Sequence, residues 1–286
     1  MSGRRRALIF LAVVAALVIG AALMMDSVVR QMLYPAPPVR VPSPPPGLLV
    51  EVPLEANGHA VSAWYSPPAA GGEANAAPDT AAPVVLMLHG NGENLETMRQ
   101  SGFFADLASA GAGVLAIDYP GYGRSPGTPS EAANLAAAEA AWTWLLRNSD
   151  GRERVIAGWS LGAAVAAQLA ARHHDEPAGV MLLSAWDRLD TVARLHFPGW
   201  MVGALLSERY DSVEAAKQIA APALLVHGDR DTIIPVDLGR RLYAALPGEK
   251  RWIEVEGAGH NDLLGRPESW QAIHSFLSQI PKRRAS

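Results

Sequence analysis

The stretch that decides the fold is Gly158-Trp159-Ser160-Leu161-Gly162, a Gly-x-Ser-x-Gly pattern. It follows a strand-like run, Arg154-Val155-Ile156-Ala157, and precedes an alanine-rich run that favours a helix. A strand, a tight turn and a helix in that order are the setting in which this pattern forms a nucleophile elbow, with the serine hydroxyl projecting from the sheet. Because the pattern also recurs by chance in ordinary strand–helix turns, the rest of the chain has to decide its meaning.

Short apolar runs alternate with helical patterns from Val84 onward, each run being a predicted strand. The predicted strands are Val84 to Leu88, Val114 to Ile117, Arg154 to Ala157, Val180 to Leu183, Ala223 to Val226 and Arg251 to Val255. Helices are predicted from about Leu95 to Ala110, Ser130 to Arg147, Leu161 to His173, Pro235 to Ala245 and Pro267 to Gln279. This alternation predicts an α/β fold with a mostly parallel central sheet flanked by helices. An antiparallel hairpin that turns at Asn57-Gly58 is predicted to precede it.

Chemistry in such a sheet lies beyond the carboxyl ends of the strands, which is where the polar candidates fall. His89-Gly90-Asn91-Gly92 follows the strand that ends at Leu88. Glycine-rich backbone there can present the Asn91 amide to an oxyanion, opposite the amide of Leu161. We expect His89 to be structural.

The carboxylate partner is expected after the serine in sequence, which sets Asp118 aside as a scaffold residue. Asp231 follows the strand that ends near His227 and is the expected acid. Asp229, on the same turn, and Asp187, after the preceding strand, remain as alternatives.

The expected base is His260, in the glycine-rich loop that follows the last predicted strand. A histidine in such a loop is often merely exposed. The order serine, acid, histidine is nevertheless the order that elbow enzymes use. His173 and His174 sit at a helix end, where a favourable helix-dipole contact is the simpler explanation.

Composition excludes several classes of function. The 286 residues contain 49% hydrophobic and 18% charged residues, typical of one large folded domain. The net charge of -4 gives no electrostatic reason to expect a nucleic-acid partner. Without cysteine the chain has no disulfide, thiolate metal site or thiol nucleophile, and we expect neither metal nor cofactor.

The N-terminus predicts a membrane attachment. An uncharged run from Ala7 to Met25 follows Arg4-Arg5-Arg6, and as a helix its roughly nineteen residues would span about 28 Å. We expect residues 1–25 to be an uncleaved single-pass anchor with the catalytic domain outside the cytoplasm; the alternative is secretion after cleavage of a signal segment. Residues 26–47 are predicted to be a proline-rich spacer, and residues 48–286 the catalytic domain.

Several motifs together resemble the α/β-hydrolase superfamily, and within it the membrane-anchored serine aminopeptidase-like and lysophospholipase-like serine hydrolases. They are His89-Gly90-Asn91-Gly92-Glu93-Asn94, Asp118-Tyr119-Pro120-Gly121-Tyr122-Gly123-Arg124-Ser125, the elbow, His227-Gly228 with Asp231, and Gly259-His260-Asn261. A departure is the Ala/Gly/Pro-rich insertion between Pro67 and Pro83. The resemblance implies Ser160 as nucleophile, Asp231 as acid, His260 as base, and the amides of Asn91 and Leu161 as the oxyanion hole.

The sequence therefore predicts a serine hydrolase that cleaves carboxylic esters through an acyl-enzyme, with a small-molecule acyl substrate and lipid esters as one option. A small cap is predicted at about residues 187–221, after Val180 to Leu183, which is the sixth strand when the two strands of the hairpin are counted. Its many apolar side chains can line an acyl pocket or pack on the domain. The alternatives are a peptidase or amidase, and a catalytically silent tethered scaffold.

Overall fold

A computed structural model of the chain describes residues 20, 24–25, 27–38, 40–45, 49–68, 82–149 and 151–280. The strands are β1 (Val50–Glu51), β2 (Leu54–Ala56), β3 (His59–Val61), β4 (Ala63–Ser66), β5 (Val84–Leu88), β6 (Gly113–Ile117), β7 (Arg154–Trp159), β8 (Gly179–Leu183), β9 (Ala223–Gly228) and β10 (Lys250–Val255). The helices are α1 (Leu95–Gln100), α2 (Phe103–Ser109), α3 (Glu131–Asn148), α4 (Leu161–His173), α5 (Leu189–His196), α6 (Gly199–Leu205), α7 (Ser212–Ala216), α8 (Val236–Ala245) and α9 (Pro267–Gln279).

Eight strands form one sheet in the order β1-β4-β6-β5-β7-β8-β9-β10. β1 and β4 pair antiparallel, and so do β4 and β6; from β6 to β10 every pairing is parallel. Parallel pairing brings the carboxyl ends of these strands to one edge of the sheet. The predicted architecture, a mostly parallel sheet flanked by helices, is confirmed.

Both faces of the sheet are covered, as the near-continuous apolar strands require. Along β5, Leu86 and Leu88 belong to one hydrophobic cluster, while Val85 and Met87 belong to the cluster on the opposite face. The first cluster includes the alanine-rich inner sides of α3 and α4, whose small side chains allow close packing on the strands. The sheet is therefore a rigid support for loops at its carboxyl edge.

Two predicted elements differ from the structure at glycine or turn positions. The helix predicted from Leu95 to Ala110 is broken into α1 and α2, because Gly102 adopts a left-handed conformation with φ 85°. The predicted hairpin does turn at Asn57-Gly58, where both residues have positive φ. Its strands divide, however: β2 pairs with β3 in a separate two-stranded sheet, and β1 pairs with β4 in the main sheet.

The N-terminal part of the chain packs on the sheet where it is described. Residues 27–33 are helical, and we call them the N-terminal helical segment. Tyr34 and Val41 are each at most 5% exposed. Tyr34 belongs to the first hydrophobic cluster and Val41 to the cluster on the opposite face. The stretch predicted to be a spacer thus contributes buried side chains to the core, and the domain boundary at residue 48 stays a prediction.

Most of the predicted anchor, residues 1–25, lies outside the described residues, as does the greater part of the insertion between Pro67 and Pro83. Within the described part of the chain, no helix combines the length and the apolar character needed to cross a bilayer. The anchor stays a prediction.

Candidate active site

Ser160 lies at the turn between β7 and α4 with φ 56° and ψ -116°, a conformation that is strained for a side-chain-bearing residue. The flanking glycines make the turn possible. A Cβ at Gly158 would collide with the backbone carbonyl of Gly162, and one at Gly162 would collide with the carbonyl oxygen of Leu88. The turn is also held to the sheet, since the Ser160 amide donates to the carbonyl of Leu183 at 2.9 Å.

The structure brings Ser160, His260 and Asp231 together in one hydrogen-bonded row. His260 Nε2 lies 3.0 Å from Ser160 Oγ, and His260 Nδ1 lies 2.7 Å from Asp231 Oδ2. The three side chains come from the ends of β7, β9 and β10, and each residue is at most 8% exposed. Trp159 stacks on the imidazole with ring centroids 5.4 Å apart, which restrains its orientation.

The Asp231 carboxylate is buried but well satisfied. Its Oδ1 accepts hydrogen bonds from the amides of Ile233 and Ile234 at 3.0 and 2.7 Å. Burial acts to raise the pKa of Asp231, but hydrogen bonds from His227 and His260 outweigh it, so the pKa lies well below its usual value. Asp231 is therefore ionised at neutral pH and can stabilise an imidazolium.

The loops that carry the acid and the base are joined to each other. The Arg230 amide donates to the carbonyl of Ala258 at 2.9 Å, and the Gly257 amide donates to Asp229 Oδ1 at 2.6 Å. A Cβ at Gly228 would collide with the same Ala258 carbonyl. The distance between Asp231 and His260 is thus set by backbone contacts as well as by the side chains themselves.

Asn91 and Leu161, the predicted oxyanion residues, line the same cavity as Ser160. Leu161 is the first residue of α4, so its amide belongs to the helix N-terminus, where amides have no intrahelical acceptor. The Asn91 side chain is held at both ends: its Nδ2 donates to the carbonyl of Leu33 at 2.5 Å, and its Oδ1 accepts from Tyr122 Oη at 2.6 Å. The loop that carries the Asn91 amide is therefore fixed from two sides.

A cavity of about 440 Å³ opens onto the Ser160 hydroxyl. Six residues of the cap line it, five of them from α5 or the residue that follows it: Leu189, Val192, Ala193, His196, Phe197 and Tyr210. The cap predicted at about residues 187–221 accordingly supplies one wall of the cavity, and most of that wall is apolar.

Four other residues that the sequence analysis considered, three aspartates and His89, have partners outside this row. Asp187 pairs with Arg241 at 2.7 Å, and Asp229 accepts from Gly257 as described above. His89 is fully buried against Tyr119, and burial lowers its pKa to about 4, so its ring is neutral. Burial also raises the pKa of Asp118, to about 6, while its Oδ1 accepts from the Leu95 amide at 2.9 Å.

Sequence reasoning missed several residues of the cavity. Met32, Leu33 and Tyr34 line it although they lie in the stretch predicted to be a spacer. Glu93 also lines it; its Oε2 accepts from the Gly90 amide at 2.9 Å, and burial raises its pKa to about 7. The sequence pattern around Leu33 and Tyr34 carries no signal that would place these residues beside the nucleophile.

Comparisons with known proteins show which family the chain resembles. A family model described as alpha/beta hydrolase fold matches residues 83–209. The uncharacterized protein Rv2307c of Mycobacterium tuberculosis is 37% identical over 288 residues, covering 96% of each chain. The human alpha/beta hydrolase domain-containing protein 17B is 33% identical over 200 residues, covering 68% of this chain and 66% of its own.

Solved structures share the architecture. The Pyrococcus furiosus esterase Pf2001 superposes with a TM-score of 0.67 at 19% identity, covering 86% of this chain and 97% of its own. The Est1E protein of Butyrivibrio proteoclasticus, solved with bound ferulic acid, gives 0.63 at 17% identity, covering 80% of this chain and 98% of its own. At these identities the likeness shows the fold alone.

Proposed function

The chain belongs to the α/β-hydrolase superfamily, and from that premise we propose that it is a serine hydrolase of carboxylic esters. The observation that carries the proposal is the row of contacts in which His260 lies 3.0 Å from Ser160 Oγ and 2.7 Å from Asp231. Those distances suit proton transfer from the hydroxyl to the imidazole.

In the proposed mechanism, His260 Nε2 accepts the Ser160 proton as Oγ attacks the ester carbonyl carbon. The carbonyl oxygen becomes an oxyanion, which the amides of Asn91 and Leu161 bind. The imidazolium, stabilised by ionised Asp231, then donates its proton to the departing alkoxide, and an acyl-Ser160 ester remains. Water attacks this ester with His260 again acting as base, which releases the carboxylic acid and restores the serine.

Esters are favoured over peptides because the cavity offers mainly apolar surface beyond the reacting groups. Trp186, Leu189, Val192 and Phe197 face the space beside Ser160. Such a wall suits an acyl group and provides little polar complement for successive peptide groups. The feature of the wall that would instead suit a peptide is the Glu93 carboxyl, which a substrate amino group would meet.

A panel of substrates tests the proposal. We expect p-nitrophenyl acetate and butyrate to be hydrolysed, with Ser160→Ala reducing kcat by about 10⁴-fold or more. Faster turnover of alanyl or leucyl p-nitroanilide than of the esters would favour the peptidase instead. An inert protein whose Ser160 is also unreactive toward a fluorophosphonate would favour the silent scaffold.

The membrane location is part of the proposal. Supporting it are the arginine triplet and the uncharged run up to Met25, both from sequence. We expect the full chain to sediment with membranes and to resist extraction at alkaline pH, and replacement of Leu11, Val14 and Leu17 by arginine to release it. Recovery of the unmodified chain in the soluble fraction would contradict the anchor.

A further inference from the structure

A second, smaller cavity of about 80 Å³ adjoins the Ser160 cavity. We call it the side groove. One wall is the N-terminal helical segment, through Val29, Met32 and Leu33, and the other is the cap, including Met201 and Leu205 of α6. All of the described side chains that line it are aliphatic or aromatic, so the side groove offers a ligand no strong hydrogen-bond partner. Space of this kind receives an apolar group in preference to water.

The side groove and the Ser160 cavity share part of their lining. Met32, Leu33, Ala193 and Phe197 line both. Ala193 has the smallest side chain of the four and lies on α5. A ligand whose reacting carbonyl lies at Ser160 can therefore extend past Ala193 without leaving apolar surroundings.

The wall formed by the N-terminal helical segment is fixed to the domain. Tyr34 Oη lies 3.0 Å from Tyr210 Oη, and the Arg30 guanidinium donates to the carbonyl of Pro129 at 2.8 Å and lies 3.5 Å from Glu208. Contacts with the cap, at Tyr210 and Glu208, and with Pro129 just before α3 thus hold the segment in place. It can act as a preformed part of a binding site.

We propose that the side groove is the acyl-chain subsite, and that the substrates are esters of linear aliphatic acids. This inference rests on the proposed ester hydrolysis. The carbonyl carbon is placed at Ser160, and the chain passes Ala193 and ends between the N-terminal helical segment and α6. Met32 and Met201, on opposite walls, have flexible thioether side chains that adapt to a flexible chain better than to a rigid aromatic acid.

Chain-length profiles test the assignment. With p-nitrophenyl esters from acetate to octanoate, kcat/KM of the full-length protein should rise by about fourfold for each methylene group that the groove buries. Ala193→Phe obstructs the passage, so it should lower the ratio of octanoate to acetate kcat/KM by about tenfold or more. Val29→Trp fills the side groove from the opposite wall and should lower the same ratio, while lying outside the lining of the Ser160 cavity.

The matched control is Ala204→Phe, which adds the same aromatic ring to the exposed face of α6, away from both cavities. It should leave the octanoate to acetate ratio within about twofold of the wild-type value. A flat chain-length profile, faster hydrolysis of benzoate than of octanoate esters, or a ratio that Val29→Trp does not change would overturn the subsite while leaving ester hydrolysis in place. Failure to hydrolyse any ester, acetate included, would contradict the proposed function and the subsite with it.

Discussion

The side-chain amide of Asn91 donates a hydrogen bond of 2.5 Å to the backbone carbonyl of Leu33. This contact joins the loop after β5 to the N-terminal helical segment, 58 positions earlier in the chain. The backbone amide of the same asparagine is the proposed oxyanion donor, so the N-terminal segment restrains the loop whose aim matters for catalysis.

Asn91→Ala removes this restraint and keeps the backbone amide. We expect kcat to fall by about tenfold, because a misplaced donor stabilises the transition state less, with KM changed by less than about threefold. Steady-state kinetics on p-nitrophenyl butyrate measure both values. Tyr122→Phe, which removes only the bond to Asn91 Oδ1, is the matched control and should have a smaller effect. If Asn91→Ala also lowered the melting temperature substantially, its loss in kcat would instead indicate a general folding defect.

The acid assignment predicts a sharp difference among three aspartates. Asp231→Asn leaves the shape of the site but removes the charge that orients and stabilises the imidazolium, so kcat should fall by about 10⁴-fold. Asp229→Asn and Asp187→Asn, whose carboxylates bond to Gly257 and Arg241, should each stay within about tenfold of wild type. A large loss in either of these, with an active Asp231→Asn variant, would reassign the acid.

Substitution of an elbow glycine by alanine should destabilise the fold strongly. Gly162→Ala places a methyl group against the carbonyls of Leu88 and His89, and both are backbone atoms that cannot rotate away. We expect the free energy of unfolding to drop by about 3 kcal/mol or more, measured by urea denaturation. Gly203→Ala on α6, where an added Cβ meets nothing within 4 Å, is the control and should be neutral or slightly stabilising. Similar losses for both variants would contradict the argument from backbone contact.

The raised pKa of the Glu93 carboxyl makes the stability of the fold depend on pH. Burial raises its pKa from 4.5 to about 7 despite the hydrogen bond from Gly90. Between these values the folded state keeps a proton that the unfolded state loses, so Glu93 stabilises the fold fully below about pH 4.5 and this contribution is lost as the pH rises to 7. Relative to Glu93→Gln, wild type should lose on the order of 3 kcal/mol of unfolding free energy between pH 4.5 and 8, because each unit of the pKa difference between the folded and unfolded states is worth about 1.4 kcal/mol. Parallel curves for the two proteins would show that the Glu93 carboxyl titrates normally.

Local patterns were sufficient to predict much of the fold. β5 and α4 match their predicted bounds from Val84 to Leu88 and from Leu161 to His173. Short apolar strands, a glycine-flanked turn and an alanine-rich helix each leave a strong local signal, and parallel pairing then brings the strand ends together. This is why Ser160, Asp231 and His260, far apart in sequence, could be selected by their position after a strand.

The contributions of the N-terminal segment could not be predicted in the same way. A proline-rich stretch typically indicates an extended linker, because proline cannot donate to a helix or a strand. Burial of Tyr34 and the contact of Leu33 with Asn91 depend instead on the surface against which the stretch packs. Gly102 is a similar case, since the helical pattern around it gave no sign that its φ would be positive.

The most direct measurement is the site of covalent modification by a fluorophosphonate, which needs an activated serine to react. Intact-mass and peptide analysis of the full-length protein should find one adduct, on Ser160, absent in Ser160→Ala and formed much more slowly in His260→Ala. An adduct on another residue, or one that forms at an equal rate without His260, would contradict the account of Ser160 as a nucleophile activated by His260 and Asp231.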